Sequence, residues 1–149
     1  MKRLLLLVAV LTGSYVNANT FSVGAHLSRH YKEPDLQPIH PFISCETEDY
    51  GTIMYYNSFG TISIGAYLLG SMPISNQWNF VGKLGLVSGY QPRMTYKSTE
   101  YLLPEQLFIG KSNIMLQAAP SLEYVVEGGL ILQYQLLGNA AAVGFKLDF

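Results

Sequence analysis

From Thr20 onward the chain alternates apolar residues with small or polar ones at a period of two, the spacing of strands whose two faces meet different surroundings. In the first segment Phe21, Val23, Ala25 and Leu27 share one face, and Ser22, Gly24, His26 and Ser28 share the other. The split returns at the end, where Val143, Phe145, Leu147 and Phe149 alternate with Ala142, Gly144, Lys146 and Asp148. Between these segments Leu130, Leu132, Tyr134 and Leu136 alternate with Ile131, Gln133 and Gln135. Turn chemistry punctuates the runs at Glu48 to Gly51, Asn57 to Gly60, Ser71 to Gln77, Glu127 to Gly129 and Gly138-Asn139. The pattern predicts eight strands, at about 20–30, 39–48, 51–57, 61–70, 77–90, 112–124, 129–136 and 141–149.

The less greasy face carries Gly, Ser, Ala and Gln, where the wet face of a soluble sandwich would carry Lys, Glu and Arg. Small uncharged residues suit the packed inside of a narrow barrel, with the greasy face turned to lipid. Closure is then obligatory, because hydrocarbon offers no partner to an open edge. Roughly ten residues per strand match a tilted crossing. Tyr31, Tyr50, Tyr55, Tyr56, Tyr90, Tyr124 and Tyr134 fall near strand ends, as interfacial girdles do, and the chain closes on Phe149 behind alternating apolar residues. The expected fold is all-β, an eight-stranded antiparallel transmembrane barrel of the bacterial outer membrane, with a soluble β-sandwich as the alternative. Gln91 to Lys111, with Pro92, Pro104 and no clear period, reads as one long external loop.

Composition agrees with this reading. The 149 residues suffice for one domain, and only 13% are charged, against about 25% in soluble domains. Lys2 and Arg3, the apolar run Leu4 to Leu11 and the triplet Val16-Asn17-Ala18 read as a secretory signal over residues 1–18, leaving 19–149 as a single barrel domain. The run is too short for a membrane-spanning helix. Removing it leaves 7 basic and 10 acidic residues, a net charge of −3, and no basic cluster for nucleic acid. The single Cys45 forms no intramolecular disulfide. With His26, His30 and His40 it shows none of the paired spacings of a zinc site, so neither metal nor cofactor is expected.

If both termini are periplasmic, strand one carries His26 upward on its inner face, and strand three delivers Asn57-Ser58 to an external tip. A serine hydroxyl becomes a nucleophile when an imidazole takes its proton, and a third group orients that imidazole. The structural alternative makes His26 a hydrogen-bonded interior residue and Asn57-Ser58 a turn. His30 and His40, with Arg29, Lys32, Glu33 and Asp35, read as a solvated rim. The alternative is that Arg29 and Lys32, with Arg93, Lys97 and Lys111 on the long loop, meet lipopolysaccharide phosphates.

Three stretches carry a resemblance: Ala25-His26-Leu27-Ser28-Arg29, Tyr55-Tyr56-Asn57-Ser58-Phe59-Gly60, and Gly82 to Tyr90. With the spacing of Gly128 to Phe149, they make the chain resemble the PagP-type lipid A palmitoyltransferases. The resemblance implies transfer of an acyl chain from a glycerophospholipid to lipid A by a cofactor-free monomer, with His26 as general base and Ser58 as its catalytic partner. The family's aspartate position reads Asn57 here. An amide offers no negative charge to an imidazolium, so Asn57 only orients, or Glu33 or Asp35 substitutes, or activity is lost. The family's amphipathic helix before strand one also lacks a counterpart. Gly24, Gly65, Gly85 and Gly144 would make room inside for the acyl chain. The other function class is a non-enzymatic barrel, a surface shield or binding protein acting through its external loops.

Overall fold

The computed structural model describes residues 20–31, 35–110, 112–137 and 140–149. The proposed signal segment, Lys32, Glu33, Lys111 and Gly138-Asn139 lie outside them. The strands are β1 (Thr20–His30), β2 (Ile39–Glu46), β3 (Tyr50–Tyr56), β4 (Ile62–Pro73), β5 (Trp78–Ser88), β6 (Arg93–Tyr96), β7 (Thr99–Leu102), β8 (Ile114–Ala118), β9 (Ser121–Val125), β10 (Leu130–Leu137) and β11 (Ala140–Asp148). β8 and β9 are two halves of one crossing. Both pair with β5 in a continuous register, Leu84↔Ala118 and Val81↔Ser121. The break falls at Pro120, whose carbonyl accepts from the Leu136 N–H at 3.0 Å but which has no N–H to return. The β1–β11 and β4–β5 pairings complete the ring, so the chain is a closed antiparallel barrel of eight crossings.

The wall is inside-out relative to a soluble domain. Outward-facing Leu27, Ile62, Leu68 and Val143 are each about 60% exposed or more, whereas inward-facing Ser22, Ser44, Glu46, Glu123, Gln133 and Lys146 are buried. A wall of exposed apolar residues around a polar interior is stable only where the surroundings are hydrocarbon, so this is a transmembrane barrel.

The interior is less neutral than the sequence pattern suggests. Glu46 accepts from Lys83 Nζ at 2.6 Å and from Lys146 Nζ at 3.4 Å, and the Tyr67 hydroxyl donates to it at 2.6 Å. Lys146 also lies 3.6 Å from Glu123 and 3.9 Å from Asp148. Gln133 donates to Glu123, and Ser22 donates to Asp148. Every crossing except β3 contributes a side chain to this cluster. The charges are tolerated because each has a counter-charge and a hydrogen-bond partner at hand.

At the end of the barrel opposite Thr20 and Phe149 the segment expected to be irregular folds. β6 and β7 form a hairpin whose turn residues Lys97 and Ser98 both have positive φ, 47° and 69°. Such a turn usually carries Asn or Gly, so Lys97-Ser98 offers no hairpin signal to a reader of the chain. A 3₁₀ turn (Glu105–Leu107) follows.

Removing the shared carboxylate strands two buried ammonium groups. Glu46→Ala is expected to lower the unfolding free energy by about 3–5 kcal/mol, read from urea titration of the micellar protein by its heat-dependent gel shift. The same change at the exposed turn residue Glu127 should stay within about 0.5 kcal/mol of the parent.

Candidate functional site

The mouth beside the β6–β7 hairpin gathers the sequence-predicted residues but binds each to a different neighbour. Asn57 follows β3 and is fully buried. Its Oδ1 accepts from the backbone N–H groups of Phe59 (2.9 Å) and Thr61 (3.1 Å), closing an Asx turn. Its Nδ2 donates toward Thr61 Oγ1 (2.8 Å), Ser63 Oγ (2.9 Å) and the Gly89 carbonyl (3.2 Å). Donors and acceptors are all spent on holding the β3–β4 turn against the segment after β5. An aspartate would face the Gly89 carbonyl with no N–H to give it. The amide at the position where the resemblance calls for an acid is the group that this turn requires.

Ser58 is half-buried, and its carbonyl accepts from Gln37 N–H at 2.9 Å. His26 is buried lower in the barrel, stacked on Phe42 at a centroid distance of 4.8 Å. Its Nε2–H donates to Gln133 Oε1 at 2.8 Å, and Gln133 passes the connection to Glu123. Among the described residues no hydrogen bond joins His26 to Ser58, and none joins His26 directly to a carboxylate. Asp35 is exposed at the rim.

His40 is not a solvated rim residue but is buried. It follows from Pro41, which has no N–H for the neighbouring strand. One position past the pair Phe42↔Tyr55, the Tyr56 carbonyl takes its bond from His40 Nδ1–H instead, at 2.9 Å. That fixes the tautomer, so His40 Nε2 accepts from the Ser28 hydroxyl at 2.6 Å.

Of the basic residues proposed to meet lipid phosphates, Arg29 is exposed on the outer face of β1. Arg93 and Lys97 stand exposed on the β6–β7 hairpin. Arg93 lies 3.8 Å from Glu100, and the Lys97 ammonium sits over the Tyr96 ring.

Sequence reasoning missed the plug. Leu36, Phe59, Tyr90, Met94 and Phe108 come from the loops at this end onto Val87 and Met115 of the wall, forming an apolar cluster over the mouth. Phe59 meets Tyr90 and Tyr101 edge-on, at 6.1 and 5.6 Å. Gln37 knots the loops together: its N–H donates to Ser58 and its Oε1 accepts from the Tyr96 hydroxyl at 3.2 Å. The Tyr90 hydroxyl bonds Tyr55 at 3.2 Å, and burial pushes its pKa well above the usual tyrosine value, so it stays protonated. Met94, Tyr96, Tyr101 and Leu103, apolar every second residue on either side of Lys97-Ser98, were the available signal.

The glycines expected to leave room for an acyl chain are filled from within. A Cβ on Gly24 would meet the Phe42 ring at 2.6 Å, and one on Gly144 the His26 ring. Gly65 is backed by Ile53 and Val87, and Gly85 by Tyr67.

No protein-family model and no curated protein matches the chain. Solved structures do match. A designed transmembrane β-barrel aligns over 89% of this chain and 97% of its own, with a TM-score of 0.56 and 13% identity. The N-terminal β-barrel domain of Pseudomonas aeruginosa OprF aligns over 89% and 98%, with a TM-score of 0.53 and 11% identity. The shared property is the fold. Small transmembrane barrels are what this chain is similar to.

Asn57→Asp restores the residue type that the resemblance calls for while deleting the amide donors. It is expected to cost about 1–3 kcal/mol of stability and to confer no acyl transfer, checked by urea titration and by mass spectrometry of lipid A from expressing cells.

Proposed function

We propose that this chain is a non-enzymatic barrel of the Gram-negative outer membrane whose working part is the surface built by its external loops. The observation that carries this reading is the filled interior. An enzyme that measures an acyl chain needs space along its lumen, and here Phe42, His26, Tyr67 and Ile53 occupy the glycine gaps. The loops support the same reading. Plug and Gln37 together hold them in one arrangement, and a pre-ordered surface loses little entropy when something binds it.

Charge agrees with this orientation. Among the described residues the exposed cations, Arg29, Arg93 and Lys97, lie at the external end, interspersed with the exposed acids Asp35, Glu100 and Glu105, while the opposite turns expose Glu48, Asp49 and Glu127 and no cation. Cations at the external end suit contact with the phosphates of lipid A. The acyltransferase reading keeps the sequence resemblance in its favour, and it requires His26 to leave Gln133 and reach Ser58.

The two readings part in one experiment. With the barrel expressed in a Gram-negative host, lipid A should keep its mass, and Ser58→Ala and His26→Ala should leave surface phenotypes such as serum survival untouched. Replacing residues 93–102 with a Gly-Ser linker should abolish those phenotypes. Lipid A that gains one acyl chain only when His26 and Ser58 are intact overturns the proposal.

A further inference from the structure

We infer that the lipid-facing wall near the periplasmic turns holds a binding groove for one acyl chain of a phospholipid with an ammonium headgroup. A groove of about 460 Å³ runs across β4, β5 and the β8–β9 crossing, between Leu68 and Leu84, over Gly70, Gly82, Ala118 and Pro120. It is shallow and open to the surroundings, and its lining is almost wholly apolar; Lys83 also borders it, but its ammonium is held on Glu46. Gly70 and Gly82 are cross-strand partners, and the β5–β9 register sets Pro120 beside Gly82. These positions alternate with the inward-facing Lys83 and Val81, so they belong to the outer wall.

The fold does not ask for these two glycines. Neither has positive φ; a Cβ on Gly70 would meet nothing within 4 Å, and one on Gly82 only the Gly70 carbonyl at 3.9 Å. Glycine inside a strand weakens it and marks a bulge, a tight bend or a close approach; the register runs through Gly70 and Gly82 without a bulge, and no protein atom claims the space beside them. The inward glycines are the contrast, since each of those already has a protein neighbour in its Cβ position. On the outer wall of a membrane barrel the neighbour is hydrocarbon, and the groove continues the lipid-facing belt, so the occupant is an acyl chain.

The headgroup follows from charge. Leu69 N–H donates to the Asp49 carbonyl at 2.7 Å, fastening the groove's strand to the turn Thr47–Asp49, where Glu48 and Asp49 are exposed. Among the described residues no exposed cation lies at this end; Lys83 and Lys146 are committed to the lumen. Two carboxylates without a cation favour an ammonium and repel an anionic headgroup.

The test is native mass spectrometry of the barrel released in mild detergent from vesicles of equal parts phosphatidylethanolamine and phosphatidylglycerol. Wild type is expected to retain one phosphatidylethanolamine, about fivefold over phosphatidylglycerol, the ratio given by one favourable surface charge contact. Gly70→Val with Gly82→Val places side chains in open space, so the barrel should keep its heat-dependent gel shift while losing the lipid. Glu48→Gln with Asp49→Asn should keep a lipid and lose the preference. Three outcomes would each overturn the proposal: wild type free of lipid, retention indifferent to the valine pair, or a protein dimer that the valine pair dissociates.

Discussion

A sheet in hydrocarbon has no solvent for its edges, and closing it on itself satisfies the backbone only by turning every second side chain into a lumen too narrow to be a solvent reservoir. Whatever the chain places on those positions must then be satisfied by other inward side chains. Glu46 is where that obligation concentrates, with Lys83 and Lys146 on either side and Tyr67 completing its acceptor positions. Because Glu46 lies on β2 and those partners on β4, β5 and β11, the ion cluster also fixes register across the barrel: sliding any one of these strands by a residue would turn its polar group to lipid. Closure and charge pairing are therefore one constraint seen from the backbone and from the side chains.

The strands were legible because a two-residue period survives even where a face carries mixed chemistry. The predicted crossing at 112–124 is present as β8 and β9, interrupted only where Pro120 cannot donate. The lumen was harder to read. Lys146 and Glu123 look like strand-end charges in one dimension, and only the register that places them 3.6 Å apart makes them interior. The long segment after β5 was opaque for another reason: its turn is held by Lys97 and Ser98 at positive φ, and the stabilisation lies in Met94 within the plug and in Tyr96 and Tyr101 packed against it rather than in turn chemistry.

The candidate site divides in the same way. Its residue types were visible, but what they do depends on partners that sequence spacing does not give. Asn57 and His40 both carry the marks of chemistry, and both are spent on backbone groups that the local sequence leaves without a partner. Asn57 completes a turn and reaches Gly89, whose own φ of 96° leaves no room for a side chain against Ile62 and Ser63. His40 supplies the N–H that Pro41 lacks. A polar side chain near a mouth is first a means of satisfying the mouth's irregular backbone, and only what remains unspent is free for a reaction.

Glycine makes the same point on the two sides of one wall. Facing inward, Gly24 and Gly144 are concavities matched to the convex rings of Phe42 and His26, so the lumen packs without a cavity at those positions. Facing outward, Gly70 and Gly82 are concavities with no protein part to fill them. A membrane protein has a solvent made of long chains, and a groove matched to one chain is packing carried across the protein boundary. At these glycines the interior is completed by its own side chains and the exterior by lipid; the difference lies in which molecule supplies the missing side chain.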